Sequence, residues 1–418
     1  MNMKKKVIVV GAGFAGINLV RKLDEKLFDV LLIDKINHHQ FQPLFYQVAT
    51  SQLEPASISF PIRHIFRNKR NLQIRMAEVV GHDSASNTLI TSIGQFNYDY
   101  LIIATGCTTN YYGNNTISKN TFPLKSTYDA IIIRNHILNT FENIISANDQ
   151  EKEGLLNLVI VGAGPTGVEL AGAFAEIKSN ILPKDYPRID FSKFNIFLIE
   201  GSENTLNGMS SLAQVSSRKY LMGMGVKIIT ETFVLNYDGN TLILSNGESI
   251  DSRTVIWAAG ITGNTISGLP ENSIGQGNRI KVDRYNKVLN TENVYAVGDI
   301  ALMETPMYPK GHPQVANVAI NQAKNVIKNL KRLQFNTPLN PYEYRDLGSM
   351  ATIGRNKAVV DFRFLSFKGY FAWLIWMFLH LMLILSVKNK IIIFIHWAWA
   401  YVTKDTSLRL ILTKSSVK

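Results

Sequence analysis

Three glycines at fixed spacing follow a β-branched run twice in this chain. Residues 7–16 read VIVVGAGFAG and residues 158–167 read LVIVGAGPTG. The chemistry that such a turn serves is the binding of a pyrophosphate. Gly11 and Gly162 make the tight strand-to-helix turn, Gly13 and Gly164 let the backbone approach phosphates, and Gly16 and Gly167 let helix and strand pack closely. The anion then sits on the helix N-terminus, where unpaired N–H groups and the helix dipole favour negative charge. An acid at the end of the next strand accepts the ribose hydroxyls. DVLLID ends in Asp34, 23 residues after Gly11, with Lys35 directly behind it in the same candidate set. FNIFLIE ends in Glu200, 38 residues after Gly162, a long spacing that a loop over PKDYPRID (183–190) accounts for.

Glu200 repels a ribose 2′-phosphate, so the second turn is expected to prefer NADH to NADPH. Two nucleotide sites in one chain imply a flavin and a nicotinamide held face to face. YDYLIIATG (98–106) and TVIWAAG (254–260) are apolar strands closed by a small residue and glycine, at similar offsets behind the two turns. They add Thr105, Gly106 and Gly260 to the candidate cofactor residues. In TENVYAVGDIA (291–301), a backbone N–H at Gly298 and the Asp299 carboxylate are placed to hold a flavin's ribityl–phosphate arm.

With these segments the sequence resembles the two-dinucleotide-binding flavoprotein reductases. Within them, NHHQFQPLFYQVAT (37–50), GPTGVELAGAFAE (164–176) and GYFAWLIWMFLHLMLIL (369–385) resemble type II NADH dehydrogenases, the single-subunit NADH:quinone oxidoreductases. The resemblance implies an α/β fold with two Rossmann-like domains, the FAD domain discontinuous, and a C-terminal amphipathic membrane-docking helical region. The expected layout is FAD domain 1–115, a connecting segment 116–154, NADH domain 155–265, a return to the FAD domain over 266–344, and a membrane-association and dimerisation region 345–418. Polar, turn-rich stretches at 108–120 and 146–154 mark the crossings.

The resemblance also assigns roles. Glu169, two residues after Gly167, matches a family glutamate that contacts the nicotinamide and is implicated in coupling proton and electron transfer. Read from the sequence alone, it is a carboxylate in an apolar run, VELAGAFA, or a helix-start acid favoured by the dipole. HPQVANVAINQAKNVIKNL (312–330) reads as a helix starting after Pro313. There the family carries Ala-Gln-x-Ala-x-Gln near the quinone head. This chain has Asn317 and Asn321, i and i+4 on one face, with Gln314 ahead of them. Each amide is a methylene short, so the chemistry survives and the reach does not. His38 and His39 read as loop residues flanking the flavin ring, since no third metal ligand is spaced nearby.

Composition narrows the acceptor. Hydrophobic content of 46% with 18% charged residues marks a folded chain, and 418 residues call for two or three domains. The net charge of +12 favours anionic partners, but no basic block with interleaved aromatics points to nucleic acid. Cys107 is the one cysteine, so a disulfide relay beside the flavin is impossible and electrons must pass directly to the acceptor. As a buried thiol it reads as a packing residue.

The tail suggests what that acceptor is. Phe371–Val387 would be a helix of about 26 Å, short of a ~30 Å hydrocarbon core. Lys388 and Lys390 interrupt it before twelve further residues, IIIFIHWAWAYV (391–402). Trp373, Trp376, Trp397 and Trp399, with Lys368, Lys388, Lys390, Lys404 and Arg409, suit a membrane–water interface. Spanning, burial in a core or dimer, and interfacial docking compete, and length, His380 and the flanking residues favour docking. The expectation is a non-pumping NADH:quinone oxidoreductase with FAD, peripheral on the cytoplasmic face of the cell membrane and homodimeric. Its rivals are a reductase for a soluble acceptor and a redox-sensing flavoprotein.

Overall fold

Continuous runs of β-branched residues form strands buried on both faces, and this chain uses them twice. The computed structural model describes residues 3–406 and 408–411. The chain divides into two units, one of 1–39, 60–108 and 261–345, the other of 40–59, 109–260 and 346–418. Met1, Asn2, Ser407 and the end of the tail beyond Ile411 lie outside the described residues.

In the first unit, five parallel strands run in the order Val294–Ala296, Tyr100–Ile103, Lys5–Val10, Phe28–Asp34 and Leu72–Met76. Val7 faces both Val30 and Tyr100 in register. Ile8, Val10, Ile33, Leu101 and Ile103 build one wall of its core, each worth roughly 1.5–3 kcal/mol when fully buried. The helix Phe14–Lys22 leaves the central strand through the first glycine turn, with Arg21 and Lys22 in its last turn where the dipole favours cations. It packs against Ala316–Gln334.

The second unit repeats the plan with Phe122–Pro123, Thr254–Trp257, Asn157–Val161, Asn195–Ile199 and Val226–Ile229, again parallel. Its glycine-turn helix is Pro165–Asn180, with proline at a position where a missing N–H costs nothing. An antiparallel sheet of Ser349–Gly354, Lys357–Phe362 and Leu365–Lys368 lies on this helix. The approach is closest at Gly172, where a Cβ would stand 1.8 Å from the Ile353 carbonyl oxygen.

Several sequence expectations need correction. The 146–154 crossing is not an open turn: Asp149–Leu155 is helical, because Asn148 and Glu151 form a reciprocal capping box. The 108–120 stretch carries a helix at Asn115–Asn120, capped by Asn114. One turn of helix, Leu182–Asp185, occupies part of the expected 183–190 loop. The helix expected after Pro313 begins at Ala316 and runs to Gln334. His38 and His39 belong to a short strand. In the tail the first helix is Tyr370–Leu383, and Lys388 and Lys390 do not interrupt a helix but lie in the opening turn of Val387–Thr403. Among the described residues, no helix is long and apolar enough to cross a membrane.

The tail helices carry two opposed stripes. Ala372 and Trp376, at i and i+4, point inward, as do Ile393 and Trp397. Phe371, Leu374 and Phe378 are exposed on the first helix, and Ile391, Ile395, Trp399 and Val402 on the second.

Candidate functional site

At the first turn, Gly11 has φ +100° and donates its N–H to the Ile33 carbonyl at 2.8 Å. A Cβ on Gly11 would stand 2.3 Å from the Ala104 carbonyl oxygen, and one on Gly16 would stand 1.8 Å from that of Gly11. Gly13 faces open space, and the helix that follows has no side-chain cap. Bare backbone N–H groups and room above them are what a pyrophosphate requires. Asp34 accepts from the Ala12 N–H at 2.6 Å and the Ile36 N–H at 2.9 Å, leaving lone pairs on both oxygens for ribose hydroxyls. Burial raises its pKa despite these bonds.

His39, read from the sequence as a loop residue flanking the flavin ring, holds the glycine turn in a way that its spacing does not announce. Its ring is 2% exposed and its Nδ1–H donates to the Ala12 carbonyl at 2.8 Å, gripping the glycine turn from behind. Burial lowers its pKa to about 4, so it is neutral at physiological pH.

The other candidates of this unit cluster around Asp299. Thr105 Oγ1 donates to the Asn264 carbonyl at 2.6 Å, and the Gly106 carbonyl accepts the Asn264 N–H at 3.1 Å. Cys107 Sγ lies 3.3 Å from an Asp299 carboxylate oxygen, and Gln314 donates to the Asp299 carbonyl at 3.0 Å. The Gly298 N–H is not free for a flavin arm: it donates to Gln322 Oε1 at 2.7 Å. That fully buried glutamine keeps an unpartnered Nε2 among the described residues. Asn321 Nδ2 donates to Asn317 Oδ1 at 2.9 Å, and Lys324 takes the Asn321 oxygen at 3.2 Å. The free group of the pair is Asn317 Nδ2, a buried donor with no partner among the described residues. Lys35 is engaged by Glu78 in an exposed ion pair at 2.6 Å.

The second turn reproduces the first. Gly162 has φ +100° and donates to Ile199 at 2.7 Å, a Cβ on Gly167 would stand 1.8 Å from the Gly162 oxygen, and Gly164 faces open space. Glu200 accepts from the Ala163 N–H at 2.6 Å, the Ser202 N–H at 2.8 Å and the Ser202 hydroxyl at 2.7 Å. The Ala163 carbonyl accepts the Leu206 N–H at 2.8 Å. Gly162, Gly164, Glu200 and Gly260, with Tyr112 and Phe233, line a cavity of 640 Å³, within the range of small-molecule sites.

Glu169 stands elsewhere in the second unit, on a cavity between the helix Pro165–Asn180, the short helix Phe45–Ala49 and the tail. Its carboxyl keeps partial exposure toward this cavity while protein surrounds the rest, and burial raises its pKa to about 8. The Thr352 N–H, at 3.4 Å, and the Trp376 indole oppose that rise. Trp376 is 1% exposed, and its Nε1–H meets no acceptor at full hydrogen-bond geometry. Across the cavity Trp397 Nε1–H donates to Gln47 Oε1 at 2.8 Å, and Gln47 Nε2 donates to the Tyr46 hydroxyl at 2.8 Å. Burial, then the charge of Glu169, push the Tyr46 pKa well up. His380 stacks on Trp376 at 4.0 Å, and burial lowers its pKa to about 4.

Comparison with known proteins bears on the family and the fold. Residues 5–323 match the pyridine nucleotide-disulphide oxidoreductase family, and residues 347–409 match the NDH2 C-terminal domain. A type II NADH:quinone oxidoreductase of Mycobacterium tuberculosis is 32% identical over 96% of this chain and 89% of its own length. A mitochondrial internal alternative NAD(P)H-ubiquinone oxidoreductase of Solanum tuberosum is 26% identical over 95% and 86%. The fold matches NDH2 of Plasmodium falciparum, solved in complex with NADH, with a TM-score of 0.88 over 98% of this chain and 100% of that one at 22% identity. The sulfide:quinone oxidoreductase of Aquifex aeolicus follows at 0.74, covering 92% of each chain at 19% identity.

Proposed function

The chain belongs to the pyridine nucleotide-disulphide oxidoreductases and, within them, to the type II NADH:quinone oxidoreductases, and from that premise we propose how its residues divide the work. The enzyme is a non-pumping NADH:quinone oxidoreductase that uses FAD. FAD held by this chain would supply the redox chemistry, accepting a hydride from NADH and passing two electrons to a quinone.

The observation that carries the assignment of sites is the duplicated glycine turn, each with its own acid fixed on the residue between the first two glycines. Gly11, Gly13, Gly16 and Asp34 hold the FAD pyrophosphate and ribose, with Thr105, Gly106 and Asp299 along the same cofactor. Gly162, Gly164, Gly167, Glu200 and Gly260 hold NADH, and the three hydrogen bonds that Glu200 already accepts keep its charge where a 2′-phosphate would lie. Asn317 Nδ2 offers the quinone head a donor, and Glu169 supplies a proton as the quinone is reduced. The single cysteine supports direct electron transfer to the acceptor.

The outward stripe of the tail supports docking to one leaflet of a membrane as a peripheral protein, on the cytoplasmic side where NADH is available. Phe371 is 72% exposed and Trp399 62%. We also read the enzyme as a homodimer through the tail region. The test is steady-state NADH oxidation with a short-chain quinone, together with flotation on anionic vesicles. Flavin that NADH bleaches and no quinone restores would refute the acceptor. Vesicle binding unchanged by Phe378→Asp with Trp399→Asp would refute the docking face.

A further inference from the structure

Reduction of a quinone by NADH consumes one proton from solvent: NADH, H⁺ and quinone give NAD⁺ and quinol. A buried donor such as Glu169 must therefore be refilled each turnover. The cavity beside it offers a route. Its 110 Å³ has room for several waters, and its lining is polar enough to hold them. The Trp376 Nε1–H, buried and without a partner at full hydrogen-bond geometry among the described residues, is one group that such a water would satisfy.

Glu176 lines the same cavity, seven residues beyond Glu169 on the same helix. Seven residues are about 10.5 Å along the axis and nearly two full turns, so both carboxyls face one way. Three waters in file, each about 2.8 Å from the next, cover that distance. Past Glu176 the wall continues through Asn180, Arg355, Tyr401, Lys404 and Asp405, the last of them half exposed. Gly354 makes room for the carboxyl: a Cβ there would stand 2.9 Å from Glu176 Oε1.

We propose that Glu176 is the intermediate station of a water-filled proton path running from solvent at the Arg355–Lys404 end of this cavity to Glu169. It acts through Glu169 as a positioning and relay residue, and the inference rests on the reading of Glu169 as the proton donor to quinone. The Arg355 N–H binds Glu176 Oε1 and orients the carboxyl. Burial raises its pKa, opposed by that bond and by the charges of Arg355 and Lys357. Among the groups around it, Tyr46 faces the cavity from the short helix. Lys404 and Asp405 close the tail side, Asp185 on the next helical turn is held by Arg409, and Met224 contributes only apolar contact at Gly354. Arg355 lies over the Tyr401 ring, which stacks on Trp373 at 5.3 Å, and this fixes the outer wall.

Glu176→Gln keeps an acceptor for the Arg355 N–H and removes the exchangeable proton. With saturating short-chain quinone it should lower kcat about tenfold at pH 8 and less than threefold at pH 6, below the roughly 10²–10⁴-fold of a group that itself transfers the proton to the reacting atom. Flavin reduction by NADH in stopped flow should stay within about twofold of the parent. A small weak acid such as imidazolium in the assay should restore most of the loss. Asn180→Phe, which plugs the outer end and leaves Glu176 intact, should give the same pH signature. If both variants track the parent at every pH, or lose a constant factor that added acid does not relieve, the relay is refuted. A parent enzyme that shows no quinone-dependent turnover refutes the underlying reading instead.

Discussion

The two glycine turns follow the same rules and differ most in what holds one carbonyl. In each, the alanine between the first two glycines gives its N–H to the strand-end acid at 2.6 Å. Its carbonyl, however, is held at the first turn by the ring of His39 and at the second by the Leu206 backbone. A backbone lock is insensitive to side-chain substitution and to pH, and a histidine lock is sensitive to both. The surroundings differ as well: burial raises the pKa of Asp34, whereas Glu200 opens on a broad cavity. A shielded turn suits a cofactor that stays, and an open one suits a substrate that comes and goes every cycle.

Breaking both turns alike should give the largest effects. Gly16→Ala and Gly167→Ala each drive a Cβ into a backbone oxygen that cannot move without opening the turn. Gly16→Ala should purify with less than about a tenth of the parent's flavin absorbance. Gly167→Ala should keep its flavin and raise the KM for NADH by at least about tenfold, 1.4 kcal/mol or more. Next, Glu200→Ala should raise that KM about fivefold to tenfold with little change in kcat and narrow the gap between NADH and NADPH in paired assays. Asp34→Ala should instead appear as flavin lost on gel filtration.

His39 separates the turns. His39→Asn should lower stability by about 1–3 kcal/mol and weaken flavin retention, because a buried acceptor loses its donor. The KM for NADH should stay within about twofold of the parent. The same histidine should also show itself in the pH dependence of stability. Burial holds the folded His39 below the ordinary 6.5, at about 4, so the unfolded chain takes the proton first. Its stabilisation is therefore whole above about pH 6.5 and is lost progressively toward pH 4, on the order of 3 kcal/mol in all. Denaturation midpoints followed from pH 7 to 4 should fall less steeply for His39→Asn than for the parent.

What the sequence disclosed was the part governed by local rules. Gly11, Gly16, Gly162 and Gly167 are dictated by backbone crowding within one strand–turn–helix unit, and Asp34 and Glu200 by the next strand in register. Spacing reports such constraints. His39, Gln322 and Leu206 act on groups 27, 24 and 43 residues away, and no periodicity connects them with their partners. Glu176 was readable as a second acid on the Glu169 face, but only the cavity gives that face a meaning. The tail's length was misjudged because its composition runs on past Leu383, where Ile384 leaves helical geometry. The two amides were read as sharing a face with their reach shortened, yet Asn321 turns its amide to Asn317 and leaves Asn317 Nδ2 as the donor without a partner among the described residues.

The inward stripe of the tail has a consequence for how this enzyme can change. Trp397 reaches Gln47, and through it Tyr46, while Trp376 lines the cavity of Glu169, so the face we propose for membrane docking and the wall beside the proposed proton donor are opposite sides of the same two helices. Such an anchor cannot be swapped like a tether. On that proposal, a substitution that retunes the docking face for a thicker bilayer or a different headgroup also shifts Trp376, which helps to bury Glu169 and opposes the rise in its pKa, so membrane preference and proton chemistry change together.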